Sequence, residues 1–538
     1  MKLVTVSQMQ AIEREADAYG LTYDQMMQNA GQGLVDTLLE LYAGEEELEI
    51  VGLVGPGNNG GDALVALTAL LHEGWKARAY LAKRKKDDLV KQFIEAGGEV
   101  LAGEDAFEKL AEAVAAADVL LDGVLGTGIK LPLKKDVAEV LAQVNDILDG
   151  LAETPLVVAV DCPSGVDCDS GEVAEETIPA DVTVTMAAVK QGLVRLPAFE
   201  YVGELQVVDI GLPAELKALT DVQTEVAEEE LIAALLPERP LDSHKGTFGS
   251  ALIVAGSVNY TGAAVLAGEG AYRAGAGLVT LAVPSSLHSA LAHQLLEATW
   301  ILLPHEMGNI SEGAADPLSK KLERATAMLI GPGLGTQETT RLFVENLISG
   351  KVTQKKSAAR IGFIHDEGKT SDEKNGTLPP LVIDADGLNL LAKIKDWHTV
   401  LPSQVILTPH PGEMSTLTGL SKDLIQEDRQ KIASQYAKTW GHVVVLKGAF
   451  TVIAAPDGRA TVIPVASPAL ARAGTGDVLA GIIVGLRAQG LEAYEAAVAG
   501  AWIHAQAGLY ASDDLGTTTS VMASDVLNSI PDVMSDLE

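Results

Sequence analysis

The sequence predicts an α/β protein of two domains, each built on a largely parallel sheet covered by helices on both faces. Three observations predict it. Short β-branched runs alternate with helical periodicity along most of the chain. Glycine is abundant, at 53 residues, while aromatics are only 4%, a composition that suits strands buried on both faces. Several strand candidates end in polar, Gly-rich turns, and doubly wound sheets build their ligand crevices at the carboxyl ends of strands.

Length and charge narrow the class. The chain has 538 residues, with 74 acidic against 39 basic, and a formal net charge of −35. At roughly 100–200 residues per domain, the length allows two to four domains. A hydrophobic fraction of 47% excludes intrinsic disorder. The acidic excess argues against non-specific binding to nucleic acid and against docking on an anionic membrane. No apolar run approaches the roughly 18–20 residues that span a bilayer. Glu13, Arg14 and Glu15 stand where a signal peptide carries its apolar stretch. Cys162 and Cys168 are too few for a disulfide framework. A reduced, cytoplasmic enzyme or binding protein is expected.

In the first half the strand candidates are residues 50–54, 77–82, 119–121, 156–161, 181–186 and 205–210, with helical stretches such as 62–73 and 107–117 between them. Ser7 with Gln10 three residues on reads as the capping box of a first helix. Met9, Ile12, Ala16 and Tyr19 then recur at helical spacing and pack across the sheet. The alternation pauses after Gly211-Leu212-Pro213. Residues 214–236 read as one or two acidic helices, ended by Pro237 and Pro240. A boundary near 212–225 divides the chain into domains 1–212 and 225–538.

The second half restarts with strand candidates at 250–255, 278–283, 327–330, 381–384, 405–408, 443–446, 451–455 and 461–465. Ala-rich helices follow near 475–488, 491–510 and 521–530. Read as exposed, they offer a surface for self-association, and a homo-oligomer is expected. Residues 351–380 break the alternation. Polar, Lys-rich and without apolar periodicity, they read as a surface insertion.

Strand 50–54 runs into Gly55-Pro56-Gly57-Asn58-Asn59-Gly60-Gly61-Asp62 and then an apolar helix. Gly55, Gly57 and Gly60 spell the dinucleotide fingerprint in strand–turn–helix context. Glycines let backbone N–H groups approach a pyrophosphate, and the helix N-terminus adds positive charge. The acidic residue expected for the ribose is missing, because the next strand ends in Ala82-Lys83-Arg84. That disfavours a plain dehydrogenase. The basic pair reads as a solvated charge run, with a 2′-phosphate contact as the alternative. Asn58, Asn59 and Asp62 set amide oxygens and a carboxylate beside the loop, which suits a cation or a polyhydroxyl ligand. Asp122-Gly123-Val124-Leu125-Gly126-Thr127-Gly128 follows the third strand and Asp161-Cys162-Pro163-Ser164-Gly165-Val166-Asp167 the fourth. Three polar turns meeting at strand ends predict a site.

Together NNGGD, DGVLGTG, DCPSGVDCDSG and ADVTVTMAAVK resemble the NAD(P)H-hydrate epimerase family over about residues 1–212. The resemblance implies a Rossmann-like doubly wound sheet, epimerisation of the C6 hydroxyl of hydrated NADH or NADPH, and a bound potassium ion. It implies that Asn59, Asp122 and Ser164 hold the potassium, whose hard charge suits oxygen donors. It places Asn58, Asn59, Gly60, Gly61, Asp62, Gly126, Thr127, Gly128, Ile129, Lys130, Leu131, Pro132 and Asp161 around the hydrate. Asp161 is the preferred acid/base candidate, since a carboxyl in a partly dry crevice can be raised towards neutrality. Lys190 is a lesser candidate. Cys162 and Cys168 have no His in their motif and read as structural.

In the second half Ala473-Gly474-Thr475-Gly476-Asp477 opens a strongly apolar helix. Backbone N–H groups at a helix N-terminus form an anion hole for a transferring phosphoryl group, and Asp477 beside it can accept a proton from a substrate hydroxyl. The turn resembles the catalytic turn of the ribokinase superfamily. Other pieces follow in order: His244-Lys245-Gly246-Thr247-Phe248-Gly249, Tyr260-Thr261-Gly262-Ala263-Ala264, Arg273-Ala274-Gly275-Ala276-Gly277, Gly331-Pro332-Gly333-Leu334-Gly335, Asp384-Ala385-Asp386-Gly387-Leu388-Asn389, Thr408-Pro409-His410-Pro411-Gly412-Glu413 and Lys447-Gly448. The set is similar to the ADP- or ATP-dependent NAD(P)H-hydrate dehydratase family across about 225–538.

That resemblance implies a ribokinase-like α/β domain in which the nucleotide phosphorylates the C6 hydroxyl of the S hydrate. Phosphate, a far better leaving group than hydroxide, then departs. It implies that Asp477 is the base and that Gly474, Thr475 and Gly476 form the anion hole. Lys447, Gly448, Ala449, Phe450, Thr451 and Gly476 would contact ADP or ATP. Gly335, His410, Asp477 and Ala263 would contact the hydrate, and Glu413 would hold a magnesium ion through water. Asp384 and Asp386 read equally as satisfied turn residues and as site residues. The function expected from both halves is nicotinamide nucleotide repair by epimerase and dehydratase. Two other readings are a ribokinase-type small-molecule kinase with a nucleotide-sensing domain in front, and a dinucleotide sensor without turnover. The presence together of Asn59, Asp122, Asp161 and Ser164 argues against the sensor.

Overall fold

Within strand Glu49–Val54, Ile50 and Val54 belong to one apolar core, and Val51 and Leu53 to another. A strand buried on both faces needs apolar side chains at every position, so it reads as a continuous run and not as an alternation. The computed structural model describes every residue except Glu46 and residues 351–377. It divides into two units, Met1–Val226 and Ala227–Glu538.

The first unit carries a sheet of parallel strands in the order Glu99–Leu101, Lys76–Leu81, Glu49–Val54, Val119–Gly123, Leu156–Val160, Val182–Met186 and Glu204–Val208. The order reverses between Glu49–Val54 and Val119–Gly123, which makes the carboxyl ends of these two strands the switch-point crevice. Strand Glu99–Leu101 escaped the sequence analysis because it is three residues long, with only Leu101 buried.

The first helix, Val6–Tyr19, is capped by Thr5 and Gln8, not by Ser7 and Gln10: Gln8 N donates to Thr5 Oγ1 at 3.1 Å and Thr5 N to Gln8 Oε1 at 2.8 Å. Met9, Ile12 and Ala16 are buried in the core, but Tyr19, at the last turn, is 65% exposed. The glycine turn feeds helix Asn58–His72 directly, so that helix starts four residues before the expected 62. Residues 214–236 contain a short helix, Lys217–Thr220, a strand, Thr224–Val226, and a helix, Glu229–Leu235.

In the second unit the strands run Ala460–Val462, Val452–Ala454, Val443–Leu446, Ile406–Leu407, Leu381–Ile383, Ala327–Ile330, Ser250–Val254, Leu278–Pro284 and Thr299–Leu303. The pairs from Val443–Leu446 onward are parallel, and the two hairpin pairs before it are antiparallel. Its switch point lies between Ser250–Val254 and Ala327–Ile330. Strand Thr299–Leu303 was missed because it is an edge strand with mostly open side chains. The Ala-rich helices Thr475–Ala488 and Ala493–Leu515 are buried along most of their length, not exposed. These two are core helices and offer no open face for self-association, whereas the third, Ala523–Asp536, buries one side only. The segment read as an insertion, 351–380, lies outside the described residues except for its last three.

Candidate functional sites

In the first unit the turns after Glu49–Val54, Val119–Gly123 and Leu156–Val160 converge. Asn59 Nδ2 donates to Leu125 O at 3.2 Å and to Val160 O at 2.5 Å. Its amide oxygen faces Gly126, where a Cβ would come within 2.1 Å of it. Only glycine leaves that oxygen a cradle. Asp122, 1% exposed, accepts from Ser164 Oγ at 2.6 Å, Ser164 N at 2.8 Å and Val124 N at 3.3 Å. Ser164 Oγ in turn accepts from Leu125 N at 2.8 Å. Burial raises the Asp122 carboxyl, while the Ser164 and Val124 hydrogen bonds pull it down. Every donor to Asp122 is neutral, so its buried charge would be stabilised by a cation. Asn59, Asp122 and Ser164 offer the hard oxygens that a potassium ion takes, and the residues present fit that ion.

Asp161 closes the other side. Its φ of 64° lies in the left-handed region, which costs a non-glycine residue about 1–3 kcal/mol and persists where the surroundings enforce it. Its Oδ1 accepts from Met186 N at 3.0 Å and Thr185 Oγ1 at 3.1 Å, and is ion-paired with the Lys190 ammonium. Lys190, 1% exposed, also donates to Met186 O at 2.9 Å and Thr185 Oγ1 at 3.0 Å. Asp62 lies in the same field: burial, then Asp161 and Glu13, push its carboxyl well above the usual range.

The structure therefore brings together Asn59, Asp62, Asp122, Asp161, Ser164 and Lys190, and adds Thr185 and Glu13. Lys190 had the lesser standing in the sequence because nothing in its motif pairs it with Asp161. Thr185 looked like an ordinary strand residue. Glu13 sits on the amphipathic first helix, half-buried, with its carboxyl raised by burial. Arg84 corrects an expectation. It is neither a solvated charge nor free for a phosphate, because it donates to Gly55 O at 3.0 Å and Gly57 O at 3.1 Å and pairs with Asp87 at 2.8 Å. It braces the glycine turn from behind. Among the other hydrate candidates, Gly60 and Gly61 are buried in the first turn of the helix, whereas Gly126, Thr127, Gly128, Ile129, Lys130, Leu131 and Pro132 form an open turn with exposed and half-buried positions. Cys162 and Cys168 are buried and free.

In the second unit the turns after Ala327–Ile330, Leu381–Ile383, Ile406–Leu407 and Val443–Leu446 meet. A Cβ at Gly331 would come within 1.8 Å of Asp384 O, so only glycine lets these two turns touch. Ala385, between Asp384 and Asp386, has φ 50° and ψ −123°, a strained turn of the kind that collects at sites. Gly335 N donates to Asp386 Oδ2 at 2.8 Å. Asp384 Oδ1 accepts from Thr408 Oγ1 and Lys447 Nζ, both at 2.6 Å, while its Oδ2 is buried without a partner among the described residues. Lys447 Nζ also lies 3.8 Å from Glu413 Oε2. His410 caps helix Pro411–Thr418, its Nδ1 accepting from Gly412 N at 2.9 Å, and Glu413 Oε2 accepts from His410 N at 2.9 Å. Burial, then the Lys447 charge, lowers His410.

Asp477 is the third residue of helix Thr475–Ala488, whose first-turn N–H groups have no partner within the helix. Burial, then Asp384, pushes its carboxyl up to about 7 against the pull of Lys447. Beside it a cavity of about 180 Å³ is lined by Lys447, Gly448, Ala449, Thr451, Thr475 and Gly476, with Ile463, Leu479 and His504 on its inner wall. Six of the eight residues expected to bind the nucleotide line it; Phe450 and Gly474 do not. Ala263, at the first position of helix Ala263–Arg273, is buried beside Gly333. His504 was missed: it lies in an Ala-rich helix with no motif around it, and burial pulls its ring down to about 4. Asp384, Asp386 and Glu413 all push the Asp477 carboxyl up while Lys447 pulls it down; among the described residues no three or more His, Cys, Asp or Glu side chains are grouped closely enough to hold a metal ion by themselves.

Two clusters of strand-end turns, each holding a carboxyl raised by burial, make this an α/β enzyme with a candidate site in each unit. The profile of the NAD(P)H-hydrate dehydratase family matches residues 251–357 and 361–532, and that of the YjeF-related protein N-terminus matches 23–192. The chain is 37% identical to the bifunctional NAD(P)H-hydrate repair enzyme Nnr of Moorella thermoacetica, over 100% of this chain and 97% of that one. It is 35% identical to the enzyme of the same name from Salinibacter ruber, over 99% and 96%. The crystal structure of ADP/ATP-dependent NAD(P)H-hydrate dehydratase from Bacillus subtilis, co-crystallised with ATP and Mg2+, aligns with a TM-score of 0.47 and 31% identity over 58% of this chain and 99% of that one. The chain belongs to the family of bifunctional NAD(P)H-hydrate repair enzymes.

Proposed function

We propose that residues 1–212 interconvert the R and S hydrates of NADH or NADPH, and that residues 225–538 dehydrate the S form at the expense of ADP or ATP. The fusion is chemically economical, because hydration gives both epimers and the dehydratase accepts one. The observation that carries the reading most is Asp477: a carboxyl that burial pushes up to about 7, on the first turn of an apolar helix, beside a cavity lined by Lys447, Gly448, Thr451 and Gly476.

In this reading Asp477 takes the proton from the C6 hydroxyl as that oxygen attacks the terminal phosphorus. The N–H groups of Gly474, Thr475 and Gly476 hold the charge that builds on the transferring group. The C6–O bond then breaks, its electron pair leaving on phosphate while the ring nitrogen supplies the compensating pair, and loss of a C5 proton restores the double bond. Gly335, His410 and Ala263 position the hydrate, and Lys447, Gly448, Ala449, Phe450 and Thr451 the nucleotide. Glu413 would hold magnesium, which neutralises phosphate charge when bound. In the first unit Asn59, Asp122 and Ser164 would hold potassium, which offsets the buried Asp122 charge, and Asp161 exchanges a proton with the hydrate. The acidic charge and free buried cysteines fit a cytoplasmic setting.

The test is stoichiometry. S hydrate supplied with either nucleotide should release one inorganic phosphate per dihydronicotinamide formed. A stable phosphorylated alcohol with no dihydronicotinamide would replace the dehydratase by a kinase.

A further inference from the structure

The first site holds a second carboxyl whose chemistry differs from that of Asp161. Asp161 is committed: Met186 N, Thr185 Oγ1 and the Lys190 ammonium all converge on its Oδ1. Asp62 is not. Among the described residues its carboxyl has neither a hydrogen bond nor an ion pair, in a residue only 7% exposed. The turn holding it is fixed against Asp161, because Asn59, one helical turn earlier, donates to the carbonyl of Val160 at 2.5 Å. An unpartnered buried carboxyl in the field of a committed one is the arrangement in which two acids take opposite protonation states.

We propose that Asp62 is the proton donor of the epimerase and works as a pair with Asp161; the proposal rests on the epimerase reading of the first unit.

The charged groups facing Asp62 divide, with the larger effects on the side of the assignment. Burial comes first, then the Asp161 and Glu13 carboxylates, all favouring the protonated form. Lys190 and Arg84 oppose them, but Lys190 is bound to Asp161 and Arg84 to Asp87 and the glycine turn.

Asp161 takes the proton of the C6 hydroxyl, and the oxygen forms a carbonyl with C6. The C6–N1 bond breaks with its electron pair going to N1, delocalised over the conjugated C2=C3 bond and carboxamide, and Asp62 protonates N1. Rotation about C5–C6 presents the other carbonyl face. N1 attacks C6 and returns its proton to Asp62, while the oxygen recovers its proton from Asp161. No water or co-reactant is consumed. The alternative, expelling hydroxide to give a C6=N1 iminium, leaves an ion that forms NAD(P)H by losing one C5 proton. A first half that did so would make the nucleotide-driven second half redundant.

The experiment uses Asp62→Asn in the full chain, with R and S hydrates separated chromatographically in the absence of nucleotide. The epimerase kcat should fall roughly a hundredfold or more, the usual share of a positioned proton-transfer group, with KM little changed. The wild-type rate should fall as pH rises through the raised Asp62 titration, and that limb should vanish in the variant. Acetic acid should restore part of the rate to Asp62→Ala, which separates a lost proton from a damaged fold. An Asp62→Asn enzyme with wild-type kcat, a loss confined to KM, or no rescue of Asp62→Ala overturns the proposal. Wild-type protein that does not interconvert the hydrates overturns instead the reading beneath it.

Discussion

The ammonium of Lys447 is bonded to Asp384 Oδ1 at 2.6 Å, with Asp384 almost completely buried. Burial works against the Lys447 charge, but Asp384 and Glu413 outweigh it and raise the ammonium above its usual range. The side chain expected to reach for the nucleotide is thus the counter-charge of the carboxylates beside the cavity.

Removing it exposes that role. Lys447→Met leaves Asp384 buried without its partner, and breaking such a pair from one side costs about 3–5 kcal/mol. Urea unfolding followed on the second unit should show a loss of that order. Because Lys447 pulls Asp477 down, the dehydratase pH profile of any surviving enzyme should move to higher pH. An unchanged unfolding midpoint and profile would contradict the account.

Asp477 separates catalysis from stability. Its carboxyl is raised from 3.8 to about 7, so the folded state holds the proton more tightly than the unfolded chain. Its contribution to stability therefore declines as pH rises from about 4 to about 7. A base must be deprotonated to act, so dehydratase rate should rise with pH through about 7. Asp477→Asn should cut that rate roughly a hundred- to ten-thousandfold while leaving thermal stability at pH 8 equal or higher. Steady-state rates and melting curves across pH check both, and epimerisation by the same protein should be unaffected.

Potassium should matter to the first unit through Asp122. Replacing potassium by tetramethylammonium, too large for a cradle closed by Gly126, should slow epimerisation in the wild type. Asp122→Asn removes the buried charge, so its residual rate should no longer respond to the exchange. Equal potassium dependence in both proteins would place the ion elsewhere.

Lys190→Met tests the ion pair with Asp161. The pair is buried on both sides, so the variant should lose about 3–5 kcal/mol of stability and most of its epimerase activity. The double variant Lys190→Met with Asp161→Asn should recover part of the stability and none of the rate. Additive losses of stability would mean that the two side chains do not interact.

Much of this was legible in the chain. Both clusters of strand-end turns were visible as Gly-rich turns placed after apolar runs, and strands 327–330 and 443–446 agree with the structure residue for residue. The failures share a physical cause. Edge strands such as Glu99–Leu101 and Thr299–Leu303 bury too little to leave an apolar run. The capping box moved to Thr5 and Gln8 because several Ser, Thr and Gln positions compete there, and tertiary packing decides among them. Lys190, Glu13, Thr185 and His504 act through partners distant in sequence, and no local pattern encodes such pairing. Arg84 looked solvated because a charge run carries no sign of the carbonyls it will meet.

The most direct test of the whole account is recovery of a mixed pool. Purified protein with R and S NADH hydrates, potassium, magnesium and ADP or ATP should return the full dihydronicotinamide absorbance, beyond the S fraction and faster than spontaneous epimerisation allows. Recovery that stops when the S form is exhausted would contradict the role given to the first unit. No recovery with either nucleotide would contradict the account altogether.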